Sequence, residues 1–275
     1  MTRDEKLQMI LQKKEYTAAD LVTIVELLRL PGGCPWDMEQ THSSIRNDLI
    51  EETYEVIEAI DKDDPVLLRE ELGDVLLQVA MHARMEEEAG RATFDEIAGD
   101  VCLKMIHRHP HVFGTVSVED SAEVLRNWER IKSDEKERKT VADKLNAIPK
   151  QLPALMRAAK VGKKASMMDF PDAASVVAKV REELAEVEEA MAQGGDTVAE
   201  EIGDLLLSVA SLARKLGVDP ERALGDATDK FIARFTAVEA AAEALGTPLA
   251  EMSEEKREEK REELWQNNKK INKNC

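Results

Sequence analysis

Cysteine is scarce in this chain: Cys34, Cys102 and Cys275 are the three among 275 residues. Three scattered thiols, odd in number, argue against a disulfide framework and against a cysteine-type zinc site. They fit a reducing compartment. Aromatic side chains make up only 4%. Positive charge is short as well, with 38 Lys and Arg against 56 Asp and Glu, a formal net charge of −18. A general nucleic-acid surface needs a basic face, so no nucleic-acid partner is expected. No stretch approaches the roughly 18 apolar residues of a membrane helix. Met1 to Lys6 leads into no apolar run of signal-peptide length. No membrane partner is expected, and the reading is a cytoplasmic protein.

What is present favours helices. Hydrophobic residues reach 43%, enough for a core, and Ala, Leu, Glu and Lys dominate. The expectation is an all-α chain, long enough for two domains of ordinary size. Residues 1 to about 17 read as polar and frayed or loosely helical. Helical spacing predicts helices over about 43–60, 65–89, 93–108 and 118–137, then 155–165, 173–192 and 197–216. Leu49, Thr53, Val56 and Ile60 read as one inward stripe, and Leu72, Leu76 and Val79 as the next. Val180, Leu184, Val187 and Met191, then Leu205, Leu206, Val209 and Leu212, read the same way in the second half. Asp64-Pro65 and Asp219-Pro220 are helix starts, Asp172 is a cap, and Thr197 with Glu200 has the spacing of a capping box. Charged helix runs from Ser253 to about Gln266, and Asn267 to Cys275 reads as a disordered tail.

One stretch organises the rest. Glu51-Glu52-Thr53-Tyr54-Glu55 is followed by Glu71-Leu72-Gly73-Asp74. It recurs as Glu182-Glu183-Leu184-Ala185-Glu186 and Glu201-Ile202-Gly203-Asp204. Glu55 to Glu71 spans 16 positions and Glu186 to Glu201 spans 15. Residues three or four apart share a helix face, so each copy sets carboxylates on two neighbouring helices. Such charges repel unless a cation reverses the sign. One copy alone would read as a solvated acidic face. Two copies with matched surroundings read as a metal site. Gly73 and Gly203 each cost their helix about 1 kcal/mol, which predicts close backbone approach to another helix or to a ligand.

The repeat extends beyond the acids. Gly99-Asp100-Val101-Cys102-Leu103-Lys104-Met105-Ile106-His107-Arg108 matches Gly225-Asp226-Ala227-Thr228-Asp229-Lys230-Phe231-Ile232-Ala233-Arg234, with five of ten identical. A late tryptophan recurs as Trp128 and Trp265. The chain is thus a tandem of one helical unit, read as 1–140 and 156–275 with a linker at 141–155. Each unit offers carboxylates suited to Mg²⁺, with Mn²⁺ also acceptable, and a Lys-x-x-x-Arg face suited to phosphate oxygens. Metal-assisted attack on a polyphosphate needs both. The histidines at 107, 109 and 111 straddle Pro110, so a zinc site there is not expected.

These motifs resemble a family. Glu-Glu-x-x-Glu followed by Glu-x-x-Asp is similar to the all-α nucleoside triphosphate pyrophosphohydrolases. Gly33-Cys34-Pro35-Trp36-Asp37, Gln40-Thr41-His42, Arg108-His109-Pro110-His111-Val112-Phe113, Leu152-Pro153-Ala154-Leu155-Met156-Arg157-Ala158 and Glu263-Leu264-Trp265-Gln266 look like MazG. The resemblance implies two MazG-like helical-bundle domains in tandem and a homodimer. It also implies Mg²⁺-dependent cleavage of nucleoside triphosphates between the α and β phosphates, giving monophosphate and pyrophosphate. Carried over by position, Glu183, Glu186 and Asp204 hold metal, and Glu201 holds metal or orients the water. Lys179, Glu182, Glu200, Lys230, Arg234 and Trp265 are the substrate-binding positions. Glu52, Glu55, Glu71 and Asp74 are the first-half counterparts. Pro171 follows Phe170 where relatives often carry an aromatic.

The halves differ four residues before the acid pair, where Lys179 stands in one and Asp48 in the other. A cation there favours a triphosphate, which places the main activity in the second half. Two rivals stand beside this reading. A di-iron bundle would carry Glu-x-x-His, and Glu55 and Glu186 are followed at that spacing by Glu58 and Glu189. A non-enzymatic acidic scaffold that binds metal, nucleotide or partner proteins would release no pyrophosphate.

Overall fold

The computed structural model describes residues 1–135, 140–194, 197–244, 246 and 248–271, with the backbone alone at 251, 263, 264 and 266–271. The family of elements is helical, and no strand occurs among the described residues. The chain divides into two compact units, Met1–Lys132 and Ser133–Cys275. The first holds α1 (Arg3–Leu11), α2 (Ala18–Arg29), the short α3 (Pro35–Glu39), α4 (Arg46–Asp61), α5 (Pro65–Glu88), α6 (Phe94–Arg108), α7 (Pro110–Phe113) and most of α8 (Ser121–Glu135). The second holds α9 (Val141–Asn146), α10 (Ala154–Lys164), α11 (Ala173–Gln193), α12 (Val198–Lys215), α13 (Pro220–Ala244) and α14 (Glu254–Ile271).

Local chemistry explains the boundaries. Capping boxes close the N-termini of α1, α2, α6 and α9, through Thr2, Thr17, Thr93 and Thr140. Each such cap is worth about 1 kcal/mol. Asp64 accepts from the backbone amides of Val66 and Leu67, and Asp172 accepts from that of Ser175. Gly194 ends α11 at φ +66°, a conformation that costs glycine little. Gly33 answers a different need: a Cβ there would lie 2.2 Å from the Leu28 carbonyl oxygen.

The core of the first unit is Val25, Ile45, Ala80, Met81 and Met85, which seats α5 on α2 and on the start of α4. In the second unit Val176, Val187, Ala190, Ala210 and Val238 are buried. Three residues join α4 to α5, so the acid-bearing helices pack as a helical hairpin. The acid-bearing pair α11 and α12 pack together in the same way.

Several expectations are corrected. The N-terminus is not frayed: α1 is capped, Arg3 donates to the Gly32 carbonyl at 2.7 Å, and Lys6 pairs with Glu26. Residues 141–146 are helical within the stretch read as linker. Thr197 makes no side-chain cap; it is itself helical (φ −79°, ψ −15°), and its carbonyl receives the Glu200 and Glu201 amides. Helix α14 continues to Ile271, and residues 272–275 of the expected tail lie outside the described residues. Among the described residues nothing lies within 4 Å of a Cβ built at Gly73 or Gly203, so no described helix approaches either glycine closely. The inward stripes are also only partly inward. Ile60, Leu72, Leu76 and Val79 are exposed in the first half, and Leu184, Met191, Leu206 and Val209 in the second. The described residues leave these apolar faces uncovered.

Candidate metal and nucleotide site

Helix α4 sets Glu52 and Glu55 three apart on one face, and α5 brings Glu71 across the hairpin. Each of the three offers a carboxylate oxygen within 4.8 Å of the others. Helices α11 and α12 repeat this with Glu183, Glu186 and Glu201. Glu71 and Glu183 are among the few buried charged residues, at 9% and 5% exposure. Clustered oxygens of this kind, partly desolvated, suit a hard divalent cation.

The electrostatics bear the strain of three acids in one place. Burial, then the charges of Asp74 and Glu55, pushes the Glu52 carboxyl above the ordinary range. Glu71 is raised by burial and then by Glu55 and Glu70. Glu186 is raised by burial and by Glu183 beside it. Asp74 and Asp204 lie one turn further along their helices, outside the three-acid groups, although Asp74 is near enough to Glu52 to act on it.

The substrate positions divide into two sets. Lys179 sits one turn before the second acid pair, with Nζ 2.7 Å from Glu182 and 2.8 Å from Glu183. That position in the first half is Asp48. Arg234 and Trp265 meet on α13 and α14, the guanidinium 5.8 Å from the ring centre. Phe231, Phe235, Val238 and Trp265 wall a cavity of about 260 Å³ beside them. Lys230 and Glu200 are exposed. The first half keeps the same pair: Arg108 lies 5.3 Å from the centre of Trp128. His109 is used there in packing, its Nδ1 2.6 Å from the Met105 carbonyl and its ring edge-on to Trp128.

Tertiary contacts add residues that sequence reasoning missed. Asp169, just ahead of α11, is held by Arg214 at 2.6 Å and Lys215 at 3.0 Å. These cations bring its carboxyl down to about 2. The matching approach to α4 is held differently. Arg29 donates to the Asp37 and Gln40 carbonyls and pairs with Glu88 at 2.8 Å. His42 Nδ1 lies 2.8 Å from His82 Nδ1, and His42 Nε2 lies 2.9 Å from Glu86. Burial, then the His42 charge, lowers the His82 pKa. Only the Lys179 pairing had a signal in the sequence, since Glu182 and Glu183 follow it at three and four positions.

With hairpin, acid trio and Arg–Trp pair all present twice, the class is that of a duplicated helical metal- and nucleotide-handling domain. The family model described as "MazG nucleotide pyrophosphohydrolase domain" matches residues 40–113 and again 159–238, and the chain belongs to that family. It is similar to the nucleoside triphosphate pyrophosphohydrolase of Escherichia coli (strain K12), with 46% identity over 225 residues, 80% of this chain and 86% of the relative. It is also similar to the nucleoside triphosphate pyrophosphohydrolase/pyrophosphatase MazG of Thermotoga maritima, with 44% identity over 222 residues, 80% of this chain and 84% of that one. A nucleoside triphosphate pyrophosphohydrolase of Mycobacterium tuberculosis shares 42% over 156 residues, 55% of this chain and 46% of its own length.

Proposed function

We propose that this protein is a nucleoside triphosphate pyrophosphohydrolase, cleaving its substrate between the α and β phosphates to release monophosphate and pyrophosphate. The observation that carries the reading is the acid trio, assembled twice from helix hairpins of one design. The family membership and the names of its relatives support it. Glu183, Glu186 and Asp204 would hold Mg²⁺ or Mn²⁺ in the second half, and Glu201 would hold metal or orient the attacking water. Glu52, Glu55, Glu71 and Asp74 would do so in the first. A bound divalent ion supplies charge neutralisation on the triphosphate and a water of lowered pKa.

The chain's own residues do the rest. Lys179, Lys230 and Arg234 would offset phosphate charge. Trp265 and its aromatic neighbours offer a flat apolar wall to a base. Glu182 and Glu200 are exposed on α11 and α12 and would join the substrate positions. The domains are read as 1–140 and 156–275, joined through 141–155. The outward apolar residues of the acid hairpins support a homodimer, because a symmetric partner would cover them. No helix among the described residues is long and apolar enough to cross a membrane; the cytoplasm as the site of action is part of the proposal.

Product analysis tests the reading. With Mg²⁺ and a panel of nucleoside triphosphates, the expected products are monophosphate and pyrophosphate. Diphosphate with orthophosphate, or full turnover in excess chelator, would refute it.

A further inference from the structure

Lys179 sits where a metal would need it to be elsewhere. Its Nζ is 2.8 Å from Glu183 Oε1 and 2.7 Å from Glu182 Oε1. Glu183 has a side chain only 6% exposed, and its carboxylate belongs to the trio with Glu186 and Glu201. The same carboxylate therefore faces two claims, from an ammonium on its own helix and from a divalent ion between two helices. In the first half that upstream position is Asp48, and no ion pair reaches Glu52, Glu55 or Glu71 among the described residues.

We propose that Lys179 is an internal counter-ion that occupies the second acidic cluster until a triphosphate draws it away, so that metal and nucleotide bind there together. The proposal deepens, and rests on, the pyrophosphohydrolase reading of this site. The physical argument has two parts. A unit positive charge beside a divalent ion opposes its binding, most strongly where solvent screening is poor. A lysine has a flexible four-carbon stem and a rotatable ammonium, so it can leave Glu183 for a phosphate oxygen without moving the helix. Once it does, Glu183 is free to face a metal, and the ammonium is set against an anionic phosphate oxygen instead of a cation. The first cluster, with an acid in place of the lysine, has no such gate and takes a divalent ion without nucleotide. The free protein would hold its metal mainly in the first half.

The test uses the full chain with Glu55→Gln and Glu71→Gln, which silence the first cluster. Free Mn²⁺ is measured by electron paramagnetic resonance, with and without a non-hydrolysable α,β-methylene nucleoside triphosphate. Helicity by circular dichroism checks that each variant is folded. In this background Lys179→Met is expected to tighten Mn²⁺ binding about tenfold in the absence of nucleotide. Lys179→Arg, which keeps the charge, is expected to stay near the parent. The nucleotide analogue should tighten Mn²⁺ binding by a larger factor in the parent than in Lys179→Met. If Lys179→Met leaves Mn²⁺ affinity within about twofold, or lowers it, while Glu183→Gln abolishes binding, the counter-ion role is overturned and the metal site stands. If the parent, Lys179→Met and Lys179→Arg all fail to bind Mn²⁺, or Glu183→Gln changes nothing, both the counter-ion role and the metal reading fall.

Discussion

The two halves of this protein share a plan and differ in the charge that stands one turn before the acid pair. Both set three glutamates within reach of a single ion, and both set an arginine over a tryptophan. At the position one turn before the acid pair, the second half has Lys179, already paired with Glu183, and the first has Asp48. Duplication thus preserved the parts that build a cluster and varied the charge beside it. An acidic cluster with a built-in cation is neutralised while it waits. In both halves carboxyl groups stay raised, Glu52 and Glu71 in the first and Glu186 in the second; the ion pair with Glu183 is what the second half adds.

The sharpest way to break the comparison is to remove one metal-facing acid from each half. Glu186→Ala is expected to lower turnover at least about a hundredfold, and Glu55→Ala by less than about threefold, because Lys179, the cation proposed to meet phosphate, belongs to the second half. Steady-state pyrophosphate release measures both. If Glu55→Ala removes the activity and Glu186→Ala spares it, the working site is in the other half; equal losses would mean that the upstream charge does not decide.

A second comparison concerns the outward apolar faces. The intact protein is expected to scatter light at about twice its 30.7 kDa chain mass at micromolar concentration. Leu72→Glu and Leu206→Glu each place a charge on an exposed apolar position of one acid hairpin. The variant that shifts the mass toward a single chain identifies the half that pairs. A monomer before any substitution would remove the dimer from the proposal.

The smallest expected effect lies in the approaches to the acid helices. In the second half this approach is tied by Asp169, whose carboxyl is brought down to about 2. Its folded value lies below the ordinary 3.8, so that contribution is full above 3.8 and is lost only as pH falls toward 2. In the first half the tie includes His82, whose folded pKa lies below its ordinary 6.5. The unfolded state gains the proton first, so stability there falls as pH drops below 6.5. Between pH 7 and 5, hydrogen exchange is expected to rise several-fold around residues 40–45 and to stay flat around 165–172, once corrected for intrinsic rates. Equal change in both segments would sink this difference.

Much of the site was legible because helical periodicity is local. Glu52 with Glu55, and Glu183 with Glu186, lie on one face by spacing alone. Glu71 and Glu201 could be added because the pattern recurs at nearly the same separation. The Lys179 pairing was legible too, yet its spacing was read only toward phosphate. The Asp169–Arg214 tie was not legible, since 45 positions separate its members and nothing in the spacing links them. Neither was the His42–His82 contact, across 40 positions.

By itself, the sequence determined the helices, most of their caps, the duplication and the acids that face one another, because each depends on neighbours a few residues away. Only the tertiary structure decided which apolar stripes are buried. Leu72, Leu76 and Leu206 have the spacing of core residues and lie on the surface. Periodicity says that a face is apolar but not what covers it. Packing brought carboxylates of both hairpin helices together and left these leucines exposed.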